Sequence, residues 1–318
     1  REGEPAEAQS AGSPCGELGR VLGPVSGGLR GSSHSDDQQT LRGVADALMN
    51  QWDLYIGGVA HSIVELEAYV HSTAHPDPYT HGEEGQGSCG AWYFHRQGRS
   101  FKGGSFKGLD LACGCARSGV FAGLLLRAVS AGPGKLVEGP SLVVDHILRL
   151  NGKGSVADFV ACRSAAALRA CSTEGLRLAL AKPPRGDRVL CAPRVGLVLR
   201  AEGAGATHSA GSPADFCARA YRFSTAPARL GKWRCGFAAA ARLQGDAEAL
   251  GELGLPAARL AAYLGAVDRG LAHGDPAAFV DKKLGTQAEL CELAGACHAR
   301  LLRHAGQAAL SASRGTGG

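Results

Sequence analysis

The chain has 318 residues, which exceeds the usual size of one domain and predicts either one large domain with extensions or two small domains. Apolar residues make up 45% and charged residues 20%, a balance that excludes a fully disordered chain. The 47 glycines and 14 prolines follow no three-residue period, which excludes collagen, and no apolar run is long enough to predict a membrane-spanning helix. The 11 cysteines include no CxxC pair, which indicates reduced thiols in an intracellular protein.

The net charge of +5 is unevenly distributed along the chain. Residues 1–37 hold three basic and six acidic residues, and residues 236–318 hold eight of each. The stretch 38–235 therefore holds 23 basic and 15 acidic residues, a local charge of +8. Such an excess suits an anionic partner such as nucleic acid, although a solvated basic surface without a partner explains it equally well.

The N-terminal part of the chain predicts a tail followed by a helix. Residues 1–37 are rich in Gly, Ser, Pro, Ala and Glu and lack an apolar period, which is typical of a flexible tail. From Gln38 onward, apolar side chains recur at positions i, i+3, i+4 and i+7, the spacing of a helix with one buried face. These side chains are Leu41, Val44, Ala45 and Leu48.

A hairpin and a series of further strands follow this helix. Two β-rich runs, 54–56 and 59–70, flank the turn Gly57-Gly58, which is the signature of a hairpin. Residues 71–90 contain prolines, glycines and many polar side chains and predict a long loop. Further strands are predicted at 91–95, 106–112, 121–129, 176–181, 188–191, 194–200 and 219–224, with a helix at 140–150 and a Gly/Ser-rich turn at 202–213.

The composition changes again after Trp233, where Ala, Leu and Gly recur at helical spacing and predict three or four short helices. The sequence therefore predicts an α+β protein. It is a single mixed domain built on a curved, mainly antiparallel β-sheet with flanking helices, plus a C-terminal helical extension. The predicted division is a flexible tail at 1–37, the mixed domain at 38–235, the helical extension at 236–306 and a disordered tail at 307–318.

One strand of the predicted hairpin carries two carboxylates on one face. Because side chains alternate along a strand, Glu65, Glu67 and Tyr69 point the same way, and the two carboxylates are spaced roughly 6.5–7 Å apart. A carboxylate on a rigid strand beside an aromatic ring suits a general base that activates water. Arg127 ends an apolar run and could place a guanidinium over such a pocket. A solvent-exposed face is the alternative.

The loop after this strand holds four potential metal ligands within eleven residues. They are His71, His75, Asp77 and His81. Their spacing fits no helical ligand motif, and loop spacing does not fix a coordination geometry. We therefore expect no metal site, and we interpret the histidines as hydrogen-bonding or stacking groups.

Aromatic and basic side chains are interleaved in two stretches after the loop, 92–96 and 101–110. Together with the glycines there, this pattern suits contacts to phosphates and stacked bases, and Arg96, Lys102 and Lys107 are the predicted nucleic-acid contacts. The glycines match neither a P-loop nor a dinucleotide fingerprint. A hairpin with aromatic cross-strand packing explains the same residues equally well.

Several of these segments together resemble one known family. The strand Ile63-Val64-Glu65-Leu66-Glu67-Ala68-Tyr69 is similar to the "IVETEAY" strand of the alkyladenine (3-methyladenine) DNA glycosylases. The resemblance covers about residues 40–225, the segment that also holds the basic excess. Further similar segments follow in the same order as in the family: Leu125-Leu126-Arg127-Ala128, Glu138-Gly139-Pro140, Ala192-Pro193-Arg194-Val195-Gly196 and Tyr221-Arg222-Phe223.

The resemblance implies a monofunctional base-excision enzyme. Such an enzyme flips a damaged purine nucleotide out of DNA and hydrolyses its N-glycosidic bond. By this resemblance Glu67 is the general base that activates the attacking water, Arg127 helps to hold that water, and the carbonyl of Val195 completes the site. Tyr69 and His81 match the two walls of the base pocket.

The expected partner is DNA with a damaged purine, either duplex or single-stranded. Glu65 and Asp110 complete the predicted set of substrate-binding residues. We expect no cofactor, no membrane association and a monomer. The expected location is intracellular, in the nucleus if the source is eukaryotic or the cytoplasm if it is bacterial, with an organelle left open.

The sequence departs from the family at two positions. The family has a tyrosine at a hairpin tip that wedges into the duplex, whereas the corresponding stretch here, 102–105, holds no aromatic residue. Phe101 and Phe106 are the alternative wedges, although neither matches the tyrosine by position. Asp110 stands where the family has an asparagine that excludes undamaged purines. Three alternatives follow: a hydrolase of single-stranded nucleic acid or nucleosides, a non-catalytic nucleic-acid-binding module on the same scaffold, and a small-molecule binder.

Overall fold

The computed structural model describes residues 13–29, 34–132, 134–200 and 212–315. Within these ranges the chain is an α+β protein with a large antiparallel sheet and helices around it. The helices are α1 (Pro14–Ser26), α2 (His34–Gln51), α3 (Pro140–Leu150), α4 (Val156–Ala161), α5 (Pro213–Ala218), α6 (Arg234–Gln244), α7 (Ala247–Glu252), α8 (Ala257–His273) and α9 (Gln287–Gly315). None of these described helices is long and apolar enough to cross a membrane.

The main sheet has the strand order β10-β11-β2-β7-β6-β3, and every pair in it is antiparallel. Strand β1 pairs with β2 and β9, and β8 pairs with β7, while β4 and β5 form a separate small hairpin. The strands are β1 (Trp52–Ile56), β2 (Val59–His71), β3 (Trp92–Phe94), β4 (Arg96–Gln97), β5 (Ser100–Phe101), β6 (Leu109–Ala112), β7 (Phe121–Ser130), β8 (Leu136–Glu138), β9 (Leu176–Leu180), β10 (Leu190–Ala192) and β11 (Arg222–Ser224).

The two longest strands, β2 and β7, form the centre of the sheet. Their pairing runs from Ser62 opposite Ser130 to His71 opposite Phe121, with register shifts on both sides of Glu65. A bulge of this kind re-aims the side chains around it. Strict alternation predicts Val64 on the side of Leu66 and Ile63 on the side of Glu65, and this prediction is wrong. Ile63 packs in the main core with Leu66, whereas Val64 packs against the C-terminal helices. The alternation predicted from Glu65 to Tyr69 is not disturbed in this way.

The main core lies between the sheet and the helices α2 and α3. Apolar side chains of β2 and β7 pack with those of both helices because each helix turns one apolar stripe inward. The two helices and the hairpin β1–β2 occur where the sequence predicted them, although α2 begins four residues earlier than predicted. The buried contributors include Leu41, Leu48, Leu66, Ala68, Leu124, Leu126, Val143 and Ile147.

The C-terminal helices pack directly against the sheet rather than standing apart from it. Phe237 of α6 and Leu253 form one buried cluster with Val64, Leu190 and Ala192. The predicted boundary between 235 and 236 falls inside α6, which begins at Arg234. The last helix, α9, continues to Gly315 and so includes most of the stretch predicted as a disordered tail at 307–318.

The prediction of a flexible tail at 1–37 is wrong for residues 14–26. These residues form α1, which begins after the capping residue Ser13 and buries Leu18, Leu22 and Val25 in the main core. The spacing of these three side chains places them on one helical face, but Gly and Pro in the same segment conceal the pattern. Residues 1–12 lie outside the described part of the chain.

A second correction concerns residues 194–200, which were predicted as a strand. They follow β10 without forming a strand, because Arg194 and Val195 turn toward β2 and bond to its side chains and backbone. The Gly/Ser-rich turn predicted at 202–213 lies outside the described residues except for its last two positions.

Truncation of an α1 side chain tests whether this helix is part of the folded unit. Leu22→Ala removes a fully buried side chain and is expected to lower the free energy of unfolding by about 2–5 kcal/mol, measured by urea denaturation. Gly19→Ala is the matched control, because its added Cβ meets no neighbouring atom. Equal stability of Leu22→Ala and the wild type would show that α1 is not packed.

A buried pair of histidines joins α3 to β2 and makes stability depend on pH. His61 Nε2 lies 2.8 Å from His146 Nε2, so one ring donates and the other accepts. Burial, followed by the charges of His61 and Arg149, lowers the pKa of His146 from 6.5 to about 4, and burial also lowers the pKa of His61. The two rings therefore stay neutral in the fold at pH values where they are charged in the unfolded chain.

Because these folded pKa values are depressed, their contribution to stability is present above about pH 6.5 and is lost as pH falls toward about 4. We expect the urea midpoint to fall over this range, and to fall less in His146→Gln, whose amide does not titrate. His273→Gln is the control, since His273 is exposed at the end of α8. The same pH dependence in His146→Gln and in the wild type would contradict this assignment.

Candidate active site

Glu67 lies at the centre of the candidate site and is fully buried on β2. Its Oε2 accepts hydrogen bonds from the Tyr69 hydroxyl at 2.8 Å and from Arg127 Nη1 at 3.1 Å. Its Oε1 accepts one from the backbone N–H of Val195 at 2.7 Å. These three donors come from β2, from β7 and from the loop after β10, and together they fix both carboxylate oxygens in place.

Arg127 joins the two carboxylates that the strand pattern placed on one face. While Nη1 of Arg127 donates to Glu67, its Nε donates to Glu65 Oε1 at 3.2 Å. Burial opposes the charge of the guanidinium, but the nearby carboxylates of Glu67 and Glu65 raise the pKa of Arg127 above its ordinary value. Glu65 Oε1 also accepts a hydrogen bond from Nε of the buried Arg222. Glu65 is thus enclosed between two arginines.

A second buried ion pair, between Arg194 and Asp77, packs against the ring of Tyr69. Arg194 donates to Asp77 through two hydrogen bonds, at 2.6 and 3.1 Å, and both side chains are fully buried. The Arg194 guanidinium lies 4.6 Å from the centre of the Tyr69 ring, a cation–π contact. Burial and the charge of Glu67 raise the pKa of Tyr69 well above its ordinary value, so its hydroxyl stays protonated and able to donate.

A second group of polar side chains surrounds Asp110 on β6. Its Oδ1 lies 2.8 Å from His95 Nε2, and its Oδ2 accepts a hydrogen bond from Gln86 Nε2 at 3.0 Å. The His81 ring meets the His95 ring edge-on, with 4.7 Å between centres, and His81 Nε2 lies 3.0 Å from Lys102 Nζ. Desolvation, then His95 and Lys102, lowers the pKa of His81, so this imidazole is neutral at neutral pH.

The register of the sheet brings the two groups onto one face. Glu67 on β2 lies opposite Leu125 on β7, and Leu125 lies opposite Asp110 on β6. Because directly opposite residues point to the same side, Glu67 and Asp110 share a face, with Cα atoms about 10 Å apart across two strand spacings. Gly123, opposite Tyr69, makes room for the Asp110 side chain, because a Cβ there would lie 2.4 Å from Asp110 Oδ2.

Two of the predicted nucleic-acid contacts, Lys107 and Arg96, have partners outside both the Glu67 group and the Asp110 group. Lys107 forms an ion pair with Asp145 of α3. The guanidinium of Arg96 lies 4.3 Å from the centre of the Phe101 ring. Among the predicted site residues, the structure thus joins Glu65, Glu67, Tyr69, Arg127 and Val195 in one group and His81, Lys102 and Asp110 in the other.

The four potential metal ligands of the loop are each engaged elsewhere. His71 and His75 contact backbone carbonyls through Nδ1, Asp77 binds Arg194, and His81 faces Lys102. Within the described part of the chain, no three His, Cys, Asp or Glu side chains are placed to hold a metal ion together.

Sequence reasoning missed several side chains of the site. His95 follows β3, two residues after Tyr93, which lies opposite Asp110, so strand alternation extended by one step would have indicated it. Arg194 and Arg222 stood inside motifs without any assigned role. Their partners, Asp77 and Glu65, are 117 and 157 residues away in sequence, and local patterns carry no such information.

Comparison with known proteins adds one distant relative. The chain is 27% identical over 167 residues to "Uncharacterized protein L759" of Acanthamoeba polyphaga mimivirus, a match that covers 48% of this chain and 76% of that protein. No family model matches the chain. No solved structure matches it either.

The buried ion pair between Arg194 and Asp77 yields a stability prediction. Arg194→Met leaves the Asp77 carboxylate buried without its partner and is expected to cost about 3–5 kcal/mol of unfolding free energy, measured by urea denaturation. The control is Arg242→Met, whose ion pair with Asp268 is half exposed and whose loss is expected to cost about 0–1 kcal/mol. Similar costs for both variants would contradict the structural importance assigned to the buried pair.

Proposed function

We propose that the protein is a DNA base-excision glycosylase, a hydrolase that removes alkylated or deaminated purines through a water activated by Glu67. The observation that carries this proposal is the convergence on Glu67 of Arg127 and Val195, which lie 60 and 128 residues away in sequence. These are the residues to which the family resemblance assigns the water site. A charge-lined surface that only binds DNA needs no such enclosed arrangement.

The geometry supports a particular division of roles. The Glu67 carboxylate accepts the proton of the attacking water and stabilises the positive charge that develops at C1′ as the N-glycosidic bond breaks. The bond electrons leave with the purine, and the water oxygen becomes bonded to C1′. Arg127 holds Glu67 Oε2 in a fixed direction, while the N–H of Val195 holds Oε1. The proposed role of Val195 therefore includes its N–H as well as its carbonyl.

The second group of side chains is suited to recognise the base. Tyr69 supplies one ring, and His81 and His95 supply two more around the Asp110 side of the same sheet face. Aromatic rings hold a flipped purine by stacking. The ionised form of Asp110 is an acceptor only, so it favours a base edge that presents an N–H group. This preference differs from that of the asparagine in the resembled family.

One observation favours a second candidate, hydrolysis of the same bond in single-stranded nucleic acid or nucleosides. The hairpin β4–β5 turns at Gly98 and Arg99, so the tip lies before the stretch 102–105 where the sequence comparison expected it. Neither place carries an aromatic side chain that could fill the gap left in a duplex, and the exposed Phe106, which follows the second stretch, does not match the family's tyrosine by position. A single strand offers no such gap to fill.

Glu67→Gln tests the proposed chemistry directly. The protein is incubated with duplex and single-stranded oligonucleotides that carry hypoxanthine, ethenoadenine or 3-methyladenine, and abasic sites are then cleaved with alkali. Because an amide cannot accept the water proton, base release is expected to fall by a factor on the order of 10²–10⁴ while DNA binding is retained. Glu248→Gln is the control, since this exposed glutamate lies on α7.

The pattern of outcomes separates the candidates. Release from single strands but not from duplexes supports the second candidate. Salt-dependent binding without release from any substrate supports a non-catalytic nucleic-acid-binding module. If the wild type releases no base at high enzyme excess, the glycosylase proposal is abandoned.

A further inference from the structure

The most exposed large apolar side chain in the described part of the chain is that of Phe106, at 77%. It lies in a short turn, Gly104–Phe106, which packs against α3. Leu142 of α3 is 55% exposed, and Asp145, three residues further along the same helix face, pairs with Lys107. A single exposed apolar residue needs no explanation, but this ion pair brings Phe106 and Leu142 to the same part of the surface.

The loop 102–108, which carries Phe106, is held at both ends by the backbone of His95. The His95 carbonyl accepts a hydrogen bond from the N–H of Lys102 at 2.9 Å, and the His95 N–H donates to the carbonyl of Gly108 at 3.0 Å. Within the loop, a backbone hydrogen bond from the N–H of Phe106, at 3.1 Å, closes the turn. The ring of Phe106 is therefore displayed on an ordered turn, which reduces the entropy lost when a ligand binds to it.

This loop adjoins the polar group around Asp110. His95 Nε2 lies 2.8 Å from Asp110 Oδ1, and Asp110 shares a sheet face with Glu67. At the same edge, Lys102 Nζ lies 3.0 Å from His81 Nε2. A nucleic acid that places one base in the proposed site therefore has its neighbouring nucleotides within reach of the loop.

The surroundings of the loop are positively charged. The described residues place no carboxylate within ion-pair distance of Lys102 or Arg96. Desolvation, then the charges of His95 and Lys102, lowers the pKa of His81, so its neutral ring accepts a hydrogen bond from Lys102 and leaves the ammonium charged. These charges favour a partner that carries phosphates. They disfavour a second copy of this chain, because a symmetric contact would place like charges opposite each other.

An exposed aromatic ring among cations is the arrangement that binds single-stranded nucleic acid, because a base stacks on the ring while phosphates meet the charges. We propose that Phe106 stacks on an unpaired base beside the nucleotide that enters the site, and that the nucleic-acid partner is therefore a single strand. In a duplex each base is already stacked and paired, so the ring could engage it only after that base had been freed. The inference rests on the proposed function only for the position of the target nucleotide.

The test measures binding of the full chain to an undamaged, fluorescently labelled single strand by fluorescence anisotropy. Phe106→Ala is expected to weaken this binding by roughly 5- to 150-fold, the loss that corresponds to one stacked base. A strand of the same length built from abasic nucleotides keeps the phosphates but has no bases, so Phe106→Ala and the wild type are expected to bind it equally. Leu302→Ala is the matched control, because Leu302 is also exposed but lies on α9.

Two further variants separate stacking from charge. Phe106→Trp keeps an aromatic face, and its additional indole fluorescence is expected to be quenched by the single strand but not by the base-free strand. Lys102→Gln removes a charge but no ring, so it is expected to reduce the slope of log K against log salt by about one, whereas Phe106→Ala leaves that slope unchanged.

A loss of affinity in Phe106→Ala that is confined to strands with unpaired bases supports the inference. Equal affinity of Phe106→Ala and the wild type for the single strand, or no binding by the wild type, overturns it. An equal loss on a duplex overturns the assignment of a single strand. Conversion of a dimer to a monomer by Phe106→Ala, seen by size-exclusion chromatography, overturns it in favour of a contact between copies.

These binding measurements do not depend on base release, so failure of the inference and failure of the proposed function are distinguishable. A wild type that binds single strands through Phe106 but releases no base refutes the glycosylase proposal alone. Base release with undiminished binding by Phe106→Ala keeps the glycosylase proposal and overturns the role of Phe106.

Discussion

The structure depends on a balanced set of buried charges on and around β2. Three carboxylates and three guanidiniums are enclosed together, and isolated burial of any one of them would cost several kcal/mol. The set brings β7, β11 and the loops after β2 and β10 to the same strand, because each supplies a partner. Its members are Glu65, Glu67, Asp77, Arg127, Arg194 and Arg222.

The sheet also positions the second polar group, around Asp110, relative to these buried charges. Strand register alone places Asp110 on the face of Glu67, and the absence of a side chain at Gly123 makes room for the Asp110 carboxylate. Rigid strands hold the two groups at a fixed separation, which the proposed division between chemistry at Glu67 and base recognition at Asp110 requires. The loops contribute side chains of lower burial, such as His81 and Lys102.

Local patterns in the sequence were sufficient for the elements that carry the site. The alternation from Glu65 to Tyr69 and the helix at 140–150 both follow from periodicity that neighbouring residues determine. The bulge beside Glu65 could not be predicted, since it depends on pairing with β7. The path of residues 194–200 depends on Asp77 and Glu67, which are distant in sequence. The docking of α1 depends on core side chains that are distant in sequence as well, so local patterns do not predict it.

The hydrogen bond from Tyr69 to Glu67 has a consequence for discrimination between ligands. A ligand that engages Glu67 Oε2 in place of this hydroxyl must first supply the free energy of a charge-assisted hydrogen bond, about 1.5–3 kcal/mol. That threshold corresponds to roughly one to two orders of magnitude in affinity. A ligand whose other contacts supply less than this leaves the hydrogen bond from Tyr69 to Glu67 intact.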